Sequence, residues 1–95
     1  MIACKVDDNQ RDIVKKLRKI PGVTVFITSS IGDGFPDIVV GYKRVNYLFE
    51  IKDGSKPPSR RKLTPAEEKF HDLWTGRVDI CNSFEEVIKV LNIKS

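Results

Sequence analysis

Gly34-Phe35-Pro36-Asp37-Ile38-Val39-Val40-Gly41-Tyr42 and, after a short polar break, Tyr47-Leu48-Phe49-Glu50-Ile51-Lys52-Asp53-Gly54 carry two strand signals in a row. Residues 36–42 and 47–52 are rich in β-branched and aromatic side chains, and glycine or proline bounds both runs. The break, Lys43 to Asn46, is short enough to join them as an antiparallel hairpin. Side chains alternate along a strand, so Leu48, Glu50 and Lys52 share one face of the later strand, and Phe49 and Ile51 take the other. On the earlier strand Asp37 lies with Val39 and Gly41, opposite Ile38, Val40 and Tyr42. The apolar faces bury against a core. In a hairpin, Asp37 and Glu50 then converge from neighbouring strands, with Lys52 beside them.

Working outward, residues 8–19 predict a first helix, with Ile13, Leu17 and Ile20 at helical spacing, Val14 beside them and Pro21-Gly22 as the stop. Residues 23–28 predict a strand, and Ser29-Ser30 with Gly32-Asp33-Gly34 a turn in which the glycines supply positive φ. Residues 55–62 are polar, basic and broken by Pro57-Pro58, which predicts an extended loop. Leu63-Thr64-Pro65 reads as a helix start: Thr64 is the N-cap, Pro65 the first helical residue, and Glu67-Glu68 favour the first turn. Its expected inner stripe is Ala66, Phe70, Leu73 and Trp74. A short strand over residues 77–81 precedes a last helix, capped by Ser83 with Glu86 as a capping box and burying Val87, Val90 and Leu91. The order α-β-β-β-α-β-α predicts an α/β fold, a mixed sheet flanked by helices, without internal repeats.

Ninety-five residues with 40% hydrophobic content make one domain, 1–95, with a charged fraction too moderate for a disordered tail. A chain this short buries only about 60–65% of its unfolded surface, so a partner subunit would add stability and a homodimer is expected. The net charge of +4 and a pI near 9.2 favour a polyanionic partner over an acidic or neutral one, although solubility alone accounts for such a balance. Cys4 and Cys81 have neither metal-type spacing nor the numbers for a disulfide framework. No stretch approaches the roughly 20 apolar residues of a membrane span, and residues 1–6 hold no long apolar run, so a cytoplasmic protein is expected.

Two carboxylates held close repel, and a hard divalent cation such as Mg²⁺ relieves the repulsion while accepting oxygen ligands. A lysine next to that cation can orient or help deprotonate a water, or neutralise charge building on a phosphate. These are the parts of a phosphodiester hydrolase. The plainer reading makes Glu50 and Lys52 solvated strand residues and Asp37 a turn acid after Pro36. What separates the readings is the Gly-x-Pro-Asp that opens the preceding strand.

At these residues the chain resembles the PD-(D/E)XK nuclease superfamily: Pro36-Asp37 supplies one half of the signature and Glu50-Ile51-Lys52 the other. More narrowly it resembles the virus-type replication-repair nuclease family (VRR-NUC), in which a GxPD-hydrophobic strand precedes an apolar-E-apolar-K strand that runs into a Gly-containing loop. The similarity continues through Leu63-Thr64-Pro65, Gly76 and Ser83-Phe84-Glu85-Glu86-Val87, nearly the whole chain. The resemblance implies a compact restriction-endonuclease-like core and a Mg²⁺- or Mn²⁺-dependent endonuclease acting on structured DNA in replication, recombination or repair, with stand-alone viral members similar to Holliday-junction resolvases. Carried over, Asp37 and Glu50 ligate the metal, the Ile51 carbonyl completes the protein ligands, and Lys52 is the catalytic lysine. The chain departs from the pattern in two places. Relatives often have glutamine where Glu67 stands, and an acid in the first helix, for which Asp7 and Gln10 are the nearest counterparts.

Lys56, Arg60, Arg61 and Lys62 follow directly on the Glu-x-Lys strand and are the candidate DNA contacts; a merely solvated loop is the alternative. Lys15, Lys16, Arg18 and Lys19 read as a solvated helix face, His71 as a surface or packing histidine, and Trp74 as core or dimer interface. Two competitors use the same fold without the chemistry: a non-catalytic DNA-binding module, which does not need Asp37, Glu50 and Lys52 together, and a protein-binding subunit, which does not need the basic loop.

Overall fold

A computed structural model describes residues 8–94; Cys4 and Asp7 lie outside the described residues. The elements run α1 (Asp8–Leu17), β1 (Val23–Ile27), β2 (Ile38–Tyr42), β3 (Val45–Ile51), α2 (Pro65–Leu73), β4 (Asp79–Cys81) and α3 (Phe84–Leu91). The sheet has the order β1-β2-β3-β4, with antiparallel neighbours except for the parallel β3–β4 pair, so it is the mixed sheet the sequence predicts. Among the described residues no helix is long and apolar enough to cross a membrane.

One face of the sheet is the core. Val25, Ile38, Val40, Phe49, Ile51 and Cys81 project from it against Ile13, Val14 and Leu17 of α1 and Val87 and Leu91 of α3. The alternation forces this arrangement, because the register pairs Val25 with Val40 and Ile38 with Phe49, and cross-strand partners share a face. Val90, placed in the core by its helical spacing, is only half-buried. α1 ends at Leu17, two residues before its predicted end. Lys19 and Ile20 tighten to i→i−3 bonds with the carbonyls of Lys16 and Leu17.

The hairpin connection is tighter than four residues. Val45 and Asn46 already pair with Tyr42 and Gly41, which leaves Lys43 and Arg44 as a two-residue turn with φ of 50° and 68°. The free edge of β1 carries no charged side chain of its own, and Arg18, the residue after α1, covers it by donating from Nη2 to the Val25 carbonyl at 3.0 Å. One member of the α1 basic cluster thus has a structural task.

α2 departs most from expectation. None of its residues is buried, Leu73 is 69% exposed and Trp74 41%, so Ala66, Phe70, Leu73 and Trp74 do not form an inner stripe. The core face is already covered by α1 and α3. α2 instead approaches the side toward which Glu50 and Lys52 point, and it is held there by few contacts. Phe70 packs edge-on to Phe35 at 5.4 Å between ring centroids and stacks on Trp74 at 5.0 Å. Gly34 allows this docking: its φ is +77°, and a Cβ there would collide with the Ala66 carbonyl and the Glu67 amide in the first turn of α2. Gly34→Ala therefore has to displace either the Pro36-Asp37 loop or α2. We expect a loss of about 1–3 kcal/mol in thermal unfolding and a red-shifted emission from Trp74, the single tryptophan. Wild-type melting and emission in this variant would show that the close approach has no energetic weight.

Candidate active site

The site is assembled on β2 and β3 by the same alternation that builds the core. Phe49 and Ile51 are buried on the core face, so Glu50 between them must point to the other side. Ile38 pairs with Phe49, which brings Asp37, one residue before β2, opposite Glu50. The Asp37 amide donates to the Phe49 carbonyl at 3.0 Å, and the Ile51 amide donates to Asp37 Oδ2 at 2.8 Å. Backbone bonds thus hold this carboxylate against the next strand. Lys52 continues the pairing by donating its amide to the Cys81 carbonyl at 2.9 Å.

Glu50 is only 1% exposed, so the reading of it as a solvated strand residue does not hold. Its Oε2 lies 3.6 Å from Lys52 Nζ, and its Oε1 is buried with no hydrogen-bond partner. Lys52 Nζ makes a closer contact, 2.8 Å, with Glu67 Oε1. Asp37, Glu50, Ile51, Lys52 and Glu67 line a cleft of about 230 Å³, together with Gln10, Asp53, Lys56 and Arg60. The Ile51 side chain is in the core, so what it presents to the cleft is backbone.

The electrostatics follow from this packing. Burial pushes the Glu50 carboxyl up to about 10, and the hydrogen bond and negative charge of Asp37 add to the effect. Burial also raises Asp37, against the opposing hydrogen bonds from Glu50 and the Ile51 amide. For Lys52, burial works against the charge, but the hydrogen bond and charge of Glu67, then the charges of Glu50 and Asp37, outweigh it and hold the ammonium above its ordinary range. Glu67 is likewise kept ionised: burial opposes its charge, and the hydrogen bonds donated by Lys52 and by the Thr64 amide overcome that. An ammonium stabilised in this way neutralises negative charge; it is not poised to take a proton from water.

The donor set suits a hard divalent cation. Two carboxylates that repel each other share one polar cleft, and a Glu50 oxygen there has no partner. Among the described residues no three His, Cys, Asp or Glu side chains converge as ligands, so the ion would be held by Asp37 and Glu50, backbone oxygen and water. Mg²⁺ commonly accepts such a set, one or two carboxylates with several waters.

Of the basic loop, Lys56 and Arg60 reach the cleft; Arg61 turns back, donating from Nε to the Lys56 carbonyl at 2.7 Å, and Lys62 is not among the lining residues. The loop is less extended than its prolines suggest. Pro58–Arg60 form a single 3₁₀ turn, with the Arg60 and Arg61 amides donating to the carbonyls of Pro57 and Pro58. Sequence reasoning missed Asn9, whose Nδ2 donates to the Lys52 carbonyl at 2.8 Å, and gave Gln10 only a loose place. Gln10 is 4% exposed and donates to Ser29 Oγ at 3.0 Å, which ties α1 to the loop before Asp37. A signal for Gln10 was present: it falls on the buried stripe with Ile13, Val14 and Leu17, where an amide requires a partner. Asp33 lies apart from the cleft, lining a shallow hollow beside Phe70 and Trp74. Cys81 is buried, and desolvation pushes its thiol up to about 12, so it is inert as a nucleophile.

No protein family, curated protein or solved structure matches the chain significantly.

A raised carboxyl value means that ionising Glu50 works against the fold. Its favourable contribution to metal-free stability is complete below the ordinary value of 4.5 and is lost progressively as pH rises toward 10. Glu50→Gln removes the titration while keeping the shape. The variant should melt above wild type without divalent cations, by a margin that widens from pH 5 to pH 9 and reaches several degrees. A pH-independent margin in paired thermal scans would mean that Glu50 does not titrate as its burial demands.

Proposed function

We propose that the chain is a Mg²⁺- or Mn²⁺-dependent endonuclease of the VRR-NUC type within the PD-(D/E)XK superfamily, built on a restriction-endonuclease-like core. It hydrolyses phosphodiester bonds in structured DNA, with branched, Holliday-type junctions as the favoured substrate. The observation that carries the reading is the meeting of Asp37, Glu50 and Lys52 in one polar cleft, where a buried Glu50 oxygen has no partner.

Asp37 and Glu50 hold the cation, with the Ile51 backbone as the further protein donor. When bound, the cation supplies the positive charge that polarises a phosphoryl oxygen and activates water. The chain's own residues position and compensate charge. Lys52 presents a persistent ammonium to the negative charge that builds on the phosphate. Lys56 and Arg60, which also line the cleft, contact the flanking phosphates of the strand. Asn9 and the Cys81 carbonyl fix the backbone of Lys52 from both sides, so its side chain starts from a defined position.

A two-fold dimer suits paired incisions across a junction. Leu73 and Trp74, adjacent at the end of α2, are exposed apolar residues that a second copy would cover. Sedimentation at assay concentration, with dimer expected and monomer against it, checks this part.

The decisive assay incubates labelled junction, flap and duplex DNA with the protein, with and without Mg²⁺ or Mn²⁺. Wild type should cut the junction only with metal. Asp37→Ala and Lys52→Ala should each lose at least about 100-fold in rate while keeping the circular dichroism of the wild type. Binding without cutting by the wild type would point to a DNA-binding module; undiminished cutting by either variant would refute the assigned roles.

Salt dependence tests the basic lining residues separately. Removing a phosphate-contacting cation lowers the slope of log affinity against log salt by about 1. Lys56→Ala and Arg60→Ala should each do this, and Lys62→Ala should do so less. Equal slopes in all three would remove the cleft-directed role of Lys56 and Arg60.

A further inference from the structure

Glu67 takes part in two interactions that proteins usually keep apart. As the third residue of α2 it completes a capping box: its Oε1 accepts from the Thr64 amide at 2.8 Å, and its own amide donates to Thr64 Oγ1 at 3.2 Å. The same Oε1 accepts from Lys52 Nζ at 2.8 Å. A capping carboxylate on a surface helix ordinarily faces solvent, but the Glu67 side chain is only 18% exposed and is turned into the cleft. α2 has no buried residue to fix it, so Glu67 joins the first turn of this helix to the sheet.

The ammonium of Lys52 has two carboxylates within reach, Glu67 at 2.8 Å and Glu50 at 3.6 Å. Lysine is a compact charge on a flexible four-carbon stem, so it moves to whichever partner is stronger. Without Glu67, the nearest remaining carboxyl is that of Glu50, 3.6 Å away, and an ammonium seated there would occupy an oxygen that a cation needs. We infer that Glu67 is a positioning residue: anchored by the Thr64 cap, it draws Lys52 off Glu50 and so keeps the Asp37–Glu50 pair open to a divalent cation. The assignment rests on the nuclease reading only for its kinetic consequence. The geometric consequence concerns Lys52 and the metal alone.

The test compares wild type with Glu67→Ala, Glu67→Gln and Thr64→Ala. Two readouts are needed besides cleavage: the ¹⁵N resonance of the Lys52 ammonium, assigned by its absence in Lys52→Arg, and Mn²⁺ affinity from the paramagnetic resonance of free Mn²⁺. In Glu67→Ala the Lys52 signal should shift or be lost to exchange, and Mn²⁺ should bind about tenfold more weakly. Glu67→Gln still accepts from Lys52 and from the Thr64 amide, so it should recover most of that affinity. Thr64→Ala loses the hydroxyl but keeps the amide that anchors Glu67; it should melt lower with Mn²⁺ affinity unchanged. That separates capping from positioning.

In cleavage, Glu67→Ala should lower kcat more than it raises KM. A Lys52 resonance at its wild-type position in Glu67→Ala, or wild-type Mn²⁺ affinity there, overturns the inference, and so does a wild type that takes up no Mn²⁺. A wild type that binds Mn²⁺ with the expected differences among variants but cuts no DNA leaves Glu67 in its assigned role and removes the nuclease.

Discussion

The packing of a buried acid, Glu50, against a half-buried one, Asp37, is the constraint on which the rest of this structure depends. Asp37 and Glu50 face one another across β2 and β3, Glu50 almost without solvent, and nothing apolar about the arrangement stabilises the second negative charge. In a domain of 95 residues, where total stability is on the order of 5–15 kcal/mol, ionising such a pair would consume a large share of the whole. The fold meets this by burying Glu50 so that its neutral form is favoured, by donating the Ile51 amide to Asp37, and by bringing Lys52 alongside. What these responses leave unsatisfied is one buried oxygen of Glu50, which a divalent cation would engage. Structural ion pairs that serve only stability do not usually leave a buried oxygen without a partner.

The surrounding elements can be understood as ways of holding that pair still. The strands cannot slide, since a one-residue slip would put Phe49 and Ile51 on the cleft side and Glu50 in the core. The core therefore fixes the site to the register of β3. α1 adds two latches from one turn, Asn9 to the Lys52 carbonyl and Gln10 to Ser29, and the Ser29 hydroxyl lies 3.4 Å from the Asp37 carbonyl it donates to. These bonds explain how a helix whose apolar stripe serves the core also reaches the chemistry on the other side of the sheet.

Much of this was legible in the sequence because it depends on period and punctuation. The hairpin, the mixed sheet, the shared face of Glu50 and Lys52, and the Thr64 cap all follow from alternation, β-branching, glycine and proline. The illegible part was set by tertiary packing. Apolar spacing in α2 looked like a buried stripe, but spacing cannot say whether a face of the sheet remains to be covered, and α1 with α3 had already covered it. The capping box expected at Ser83 forms only in half: the Ser83 hydroxyl accepts from the Glu86 amide, while the Glu86 carboxylate reaches past it to the Asn82 amide at 3.0 Å. The complete box lies at Thr64 instead, where Thr64 and Pro65 marked the helix start but nothing in the local sequence showed that Glu67 would also meet a lysine fifteen residues away.

The division between the two faces of the sheet explains why the site can be so polar in so small a protein. All the packing that α1 and α3 provide is on one side, and it makes the strands rigid as backbone. Side chains on the other side are then free to be chosen for chemistry, because the neighbours that fix their positions, Phe49 and Ile51, do not touch the cleft with their side chains. What the site side lacks is cover. α2 supplies only a few aromatic contacts and the Glu67 carboxylate, and Phe26 and Ile80 stay exposed beyond it. A polar cleft beside a sparsely anchored helix, with Lys56 and Arg60 among the residues that line it, is compatible with the phosphate backbone that the proposed function requires.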